Sequence, residues 1–151
     1  DSWQLLGLDT HIPGELYGTI STETLCWLKN MLDKHKNKPT ILFQHHPPVH
    51  VQTKWVDLLG LKNTDPFIEI LNQNPQIRLI SCGHVHQEFQ GTLGNITIFT
   101  TPSTGIQFKK GTDMLECDPI PPGFRIFSFD NDNWESKIIR LDELKYTPVK
   151  N

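Results

Sequence analysis

Cysteine is scarce in these 151 residues and poorly placed for structural use: Cys26, Cys82 and Cys117 are odd in number, far apart and free of any CxxC pairing. Neither a disulfide framework nor a thiolate zinc site follows, and a reducing cytoplasm is the compartment expected. Long apolar runs are missing as well. None approaches the ~20 residues that a membrane-crossing helix needs, and none resembles the apolar region of a signal peptide, so no membrane partner is expected. Basic excess is absent, with 14 Lys and Arg against 17 Asp and Glu and a formal charge of −3. Such a chain has no field to hold a polyanion by counterion release, which argues against nucleic acid as a partner. Repeats, low-complexity segments and shifts of composition are also lacking, so residues 1–151 read as one unit with no separate second domain. The chain opens on Asp1 rather than Met, directly before an apolar run, and reads as a stretch of something longer.

What is present is an alternation of short apolar runs with helical periodicity. Residues 3–8 form an apolar run ahead of the turn-rich segment Asp9-Thr10-His11-Ile12-Pro13-Gly14. This predicts a buried strand opening into a loop. Ser21 supplies a hydroxyl for a helix N-cap, and Leu25, Leu28, Met31 and Leu32 follow at helical spacing, predicting a helix over 21–35 with His35 at its end. Residues 40–44 form a continuous apolar run rather than an alternating one, as expected of a central strand covered on both faces, and Ile77-Arg78-Leu79-Ile80-Ser81-Cys82 reads as a second central strand. Between them a loop runs to Asn63, and Asp65-Pro66 predicts a helix capped by Asp65, with Phe67, Ile68 and Leu71 on its inner face. Short strands over 88–92, 96–100, 124–129 and 135–141 predict an antiparallel second half. A rigid loop is expected over 117–123 and a frayed tail after Leu144. The class is α/β, turning to α+β in the C-terminal half.

Four of the seven histidines fall in two short clusters, His45-His46-Pro47-Pro48 and Gly83-His84-Val85-His86, each following a predicted central strand. In an open α/β sheet the carboxyl ends of parallel strands line the ligand crevice, so the clusters converge on one mouth. Imidazoles there suit zinc, iron or manganese. For His84 and His86 to serve two neighbouring ions, strand geometry must break after Gly83, which a glycine permits. Either cluster alone also reads as a polar turn after a strand.

Taken together, the two histidine strings resemble the last two metal motifs of the calcineurin-like metallophosphoesterases. Leu8-Asp9-Thr10, Leu25-x-Trp27-Leu28, Trp55-x-Asp57, the run Thr101 to Lys109, and Pro122-Gly123-Phe124-Arg125 narrow the resemblance to the bacterial class III 3′,5′-cyclic-AMP phosphodiesterases. It covers nearly the whole chain. It implies part of a two-sheet sandwich flanked by helices, with residues 1–151 as the C-terminal portion of the domain and the N-terminal half lacking. His45 and His84 would hold one divalent metal ion and His86 the second, iron, manganese or zinc, with His46 as the catalytic residue near the phosphate. The reaction implied is attack of a metal-activated hydroxide on a cyclic nucleotide, giving a 5′-monophosphate. The family's Gly-Asp with the bridging carboxylate and its Gly-Asn-His do not occur here, and Asp9-Thr10-His11, although it spells Asp-x-His, follows a strand that resembles a later one of the family and reads as structural. The isolated chain is therefore expected to be inactive, to bind metal weakly with affinity falling below about pH 6.5, and to self-associate through an exposed sheet edge.

Other residues keep two readings. Ser103, Thr104 and Gln107 either contact the nucleotide or satisfy loop backbone groups, and Trp55 and Phe108 either stack on a base or pack. Asp9 reads as structural, His50 as a loop residue and His11 as ambiguous. Two functional alternatives stand beside the leading one: a related phosphoesterase acting on another diester or a monoester, and a non-catalytic module retaining a partial metal site.

Overall fold

The computed structural model describes residues 3–145. The chain runs β1 (Gln4–Leu8), α1 (Thr22–Lys34), β2 (Thr40–Gln44), α2 (Lys54–Asp57), α3 (Thr64–Gln73), β3 (Ile77–Cys82), β4 (Phe89–Leu93), β5 (Ile96–Thr100), β6 (Gln107–Phe108), β7 (Cys117–Asp118), β8 (Gly123–Asp130) and β9 (Asn133–Arg140). Five strands make one sheet in the order β1-β2-β3-β5-β4. Strands β1, β2, β3 and β5 run parallel; β4 joins antiparallel at one edge. The hairpins β4–β5 and β8–β9 are antiparallel as expected of the second half, but β5 also pairs in parallel with β3, tying that half into the first sheet.

The sheet has a helix face and a hairpin face, set by the period-2 alternation of its strands. Leu6, Leu42, Ile80 and Ile98 stand in one register row and point to α1 and α3, where Leu25, Leu28, Leu32, Phe67, Ile70 and Leu71 complete the core. Removing a fully buried residue such as Phe67 from that core costs about 3–5 kcal/mol. On the other face Trp3, Ile41, Leu79 and Phe99 pack against Phe43, Phe127, Phe129 and Trp134, the last three from the β8–β9 hairpin. The Trp3 indole N–H donates to the Asn131 carbonyl at the hairpin turn, 2.7 Å away. Helices, sheet and hairpin thus form three layers.

Ser21 caps α1, its hydroxyl accepting the Thr24 N–H, and His35 ends it. The expected cap of the later helix is corrected. Asn63, not Asp65, precedes α3, and its amide links to the Ile20 backbone rather than to the helix, while Asp65 sits in the first turn. Ile70 takes the fully inward place expected of Ile68. The loop to Asn63 contains the short α2, and the segment over 117–123 starts with β7. Strand β1 alternates instead of being buried throughout: Leu5 is 58% exposed, because the hairpin covers Trp3 and Ile41 but not Leu5 and, among the described residues, no strand lies beyond β1. The expected frayed tail falls mostly on residues 146–151, outside the described ones.

Candidate metal centre

Both histidine clusters sit at carboxyl ends of adjacent parallel strands. Gln44 pairs with Cys82 at the ends of β2 and β3, so the next residues, His45 and Gly83, lie side by side, the Gly83 N–H donating to the His45 carbonyl at 3.1 Å. A Cβ on Gly83 would stand 3.2 Å from His45 Nδ1, so the glycine makes room for that ring. The conformational break expected after Gly83 is present, and the left-handed conformations fall on the histidines themselves. His84 has φ 67° and His86 φ 50°, both in the left-handed region that disfavours side chains. Each such residue costs of order 1 kcal/mol or more, which the surrounding structure must overcome.

The rings converge. His45 and His46 centroids are 4.8 Å apart, His45 and His84 5.2 Å, and His46 and His84 4.5 Å. One nitrogen from each of the three lies within 4.8 Å of the others. Nitrogens sharing a tetrahedral ion at ~2.1 Å stand ~3.4 Å apart, so small ring rotations would bring a pair into range. The three differ in freedom. His45 is exposed, and among the described residues its ring has no hydrogen-bond partner. His46 is buried, with Nδ1 2.8 Å from the Thr10 hydroxyl and Nε2 3.2 Å from the Leu16 carbonyl. His86 stands apart, its ring flat against Phe108, and its buried Nδ1 has no partner.

Burial lowers the pKa of all four. Desolvation is the main cause in each, and the neighbouring imidazoles add to it for His46, His84 and His86. His84, buried beside His45 and His46, is pushed to about 4, chiefly by desolvation and further by the neighbouring imidazoles. All four therefore stand neutral near pH 7, the form in which imidazole coordinates metal. The nitrogens of His45, His46 and His84 form a group that could hold a divalent metal ion at this end of the sheet, with His86 outside it. The carboxylates such ions need are not in the cluster.

A cleft of about 570 Å³ opens between the sheet and the hairpin, with His45, Gly83, Thr101, Thr104, Phe124 and Arg125 on its walls. Thr104 lines it; Ser103 and Gln107 do not. Gln107 is 1% exposed and wholly engaged with its own loop: its carbonyl accepts the Ser103 N–H, and its amide donates to the Ser103 and Gly105 carbonyls. The Ser103 hydroxyl accepts the Gly105 N–H. Trp55 and Phe108 pack edge to face, 5.0 Å apart. Asp9 accepts the His11 N–H, as a loop-forming residue does, and Asp57 accepts the Val51 and Thr53 N–H groups, fixing the loop before α2. Sequence reading missed the part played by Thr10, 2% exposed against His46. A hydroxyl two residues into a loop gives no periodic signal.

An α/β sheet with neutral imidazoles gathered at the carboxyl ends of neighbouring parallel strands is a scaffold suited to binding a divalent metal ion. Over nearly its whole length the chain is similar to bacterial cyclic-nucleotide phosphodiesterases. It is 33% identical over 141 residues to a 3′,5′-cyclic-nucleotide phosphodiesterase of Nostoc, covering 93% of this chain and 53% of that protein. It is 31% identical to the 3′,5′-cyclic adenosine monophosphate phosphodiesterase CpdA of Pseudomonas aeruginosa, with 96% and 54% covered, and 30% identical to CpdA of Escherichia coli, with 98% and 54% covered. The chain thus spans about half the length of the curated relatives it matches. A solved dimetal phosphatase from Danio rerio aligns with TM-score 0.49 and 23% identity over 56% of this chain and 27% of that one, too slight a likeness to carry an argument. No family model matches the chain.

Proposed function

We propose that this chain carries one part of a two-metal phosphodiesterase that hydrolyses 3′,5′-cyclic AMP to 5′-AMP. The observation that carries the reading is the convergence of His45, His46 and His84 at adjacent strand ends, with His86 Nδ1 buried and partnerless nearby. His45 and His84 would hold one ion and His86 the other. The ions, when bound, would lower the pKa of water and neutralise charge on the phosphoryl oxygens. That supply of local positive charge accounts for an acidic chain accepting an anion.

The chain's own residues would do the rest. His46, whose ring lies beside those of His45 and His84, is the catalytic candidate by resemblance. Thr104, on the cleft wall, is the best placed of the three suggested nucleotide contacts; Ser103 and Gln107 act through the shape of the loop. The substrate assignment to cyclic AMP is supported by the relatives' names together with the motifs around Thr101 and Pro122. Among the described residues no helix is long and apolar enough to cross a membrane. The three free thiols fit a reducing compartment such as the cytoplasm.

The test is a hydrolysis panel on the parent protein at the relatives' full length. It should hydrolyse 3′,5′-cyclic AMP in preference to other diesters and to monoesters, and lose that activity on His84→Ala. A preference for another ester would support the wider phosphoesterase reading. Activity indifferent to His84 would remove the metal assignment.

A further inference from the structure

We infer that Thr10 is a positioning residue for His46, holding its imidazole in the Nε2–H form and keeping it out of the set of ligands formed by His45 and His84. The inference rests on the reading of this site as a metal centre with His46 beside it.

The hydrogen bonds determine the tautomer. The Leu16 carbonyl can only accept, so His46 Nε2, 3.2 Å away, must carry a proton. In the neutral ring Nδ1 is then an acceptor, and it takes the Thr10 hydroxyl proton across 2.8 Å. The lone pairs of the same hydroxyl face the His46 backbone N–H at 3.4 Å, so the donor and acceptor roles of Thr10 close without conflict. The opposite tautomer would set a bare Nε2 against a carbonyl oxygen and leave the threonine proton without a partner. In a pocket where Thr10 and His46 are both buried, that mismatch leaves polar groups without partners and disfavours the opposite tautomer.

The slot is shaped for one ring position. A Cβ on Gly18 would collide with His46 Nδ1 and with the Thr10 carbonyl, so glycine is needed on that side. The Thr19 N–H donates to the Thr10 carbonyl at 3.1 Å and fixes the loop that carries both walls. The sequence pair His45-His46 is therefore split by its surroundings. His45 has an open ring facing the cleft, whereas His46 has both nitrogens engaged by protein. Chain neighbours of identical chemistry acquire different jobs because one of them meets Thr10.

The experiment uses the 151-residue chain labelled with ¹⁵N and reads the ring nitrogens of each histidine from long-range ¹H–¹⁵N correlations above the imidazole pKa range. Wild type should show His46 as a single tautomer with the proton on Nε2. Thr10→Val should replace this with averaged nitrogen shifts, and Thr10→Ser, which keeps the hydroxyl, should restore the single form. A proton on Nδ1 or a tautomer mixture in wild type overturns the inference without any variant. So does a Thr10→Val chain whose His46 shifts are unchanged. Zinc added to wild type separates this inference from the reading it rests on. Shifts at His45 and His84 with His46 unmoved are expected. A coordinated His46 Nδ1 overturns the role given to Thr10 but leaves a metal centre. A normal His46 tautomer with no zinc response at His45 and His84 removes the metal reading and leaves the tautomer lock standing.

Discussion

The imidazole of His86 lies flat on the ring of Phe108, centroids 4.4 Å apart and planes within 5° of parallel. The Phe108 N–H donates to the His86 carbonyl at 3.3 Å, so the same pair is joined through backbone and side chain. His86 carries a left-handed φ, and this contact is expected to help hold it there. Phe108→Ala should cost about 2 kcal/mol for a half-buried aromatic, lowering the melting temperature by roughly 4–8 °C, and should free the His86 ring. Phe108→Tyr should keep the stacking. Calorimetric melts with the line widths of the His86 ring signals check both, and a rigid His86 in the alanine variant would show that the stacking is incidental.

Zinc or manganese binding should depend on His45 and His84 together. The double variant His45→Ala, His84→Ala should take up no metal detectable by titration calorimetry, whereas His50→Ala, out in an exposed loop, should bind as wild type does. Equal uptake by the double variant would place the ligands elsewhere.

The pH dependence of that uptake should lie further to acid than an ordinary imidazole gives. Burial lowers His45, His84 and His86, with His84 at about 4, so proton competition is weak at pH 6.5 and grows only below it. The fall in affinity expected near pH 6.5 from the sequence is thus shifted downward. Calorimetry at stepped pH between about 7.5 and 5 measures the position of the fall, and a midpoint at 6.5 or above would mean that burial does not act on these ligands.

Stability should follow the same groups. The folded values are depressed below the unfolded one of 6.5, so protons bind the unfolded chain first. The stability they contribute is complete above pH 6.5 and is lost as pH falls from 6.5 through about 4. Part of His84 remains solvated, which limits the effect to a few degrees of melting temperature. Thermal melts of wild type and His84→Gln should show a shallower acid slope in the variant, and parallel slopes would exclude His84 as a source.

Self-association should run through β1, the outer strand of the five-stranded sheet, whose Leu5 is exposed beside the buried Ile41. An unpaired edge with an apolar side chain on it attracts a second copy. Light scattering over a concentration series should show the apparent mass rising, and Leu5→Lys should hold it at the monomer. A constant monomer mass for wild type would show that the edge closes without a partner.

Much of this was legible in the residues themselves. The apolar run Ile41-Leu42-Phe43 marked one central strand, because burial on both faces leaves little room for alternation, and the apolar residues of 77–82 marked the other despite the exposed Arg78. Ser21 marked the start of α1 because a hydroxyl there can accept a free helix N–H. Placing His45, His84 and His86 after strand ends needed nothing more than the order of the elements. What sequence alone could not supply came from contacts made across long chain separations. That β5 lies parallel beside β3, that Leu5 stays in water while Ile41 does not, and that the left-handed turn falls on His84 rather than Gly83 depend on which layers meet. The division of His45 from His46 is the sharpest case. Their chemistry and neighbours in sequence are alike, and only the approach of Thr10, Leu16 and Gly18 from a loop about 30 residues earlier buries one ring, engages both its nitrogens and leaves the other facing the cleft.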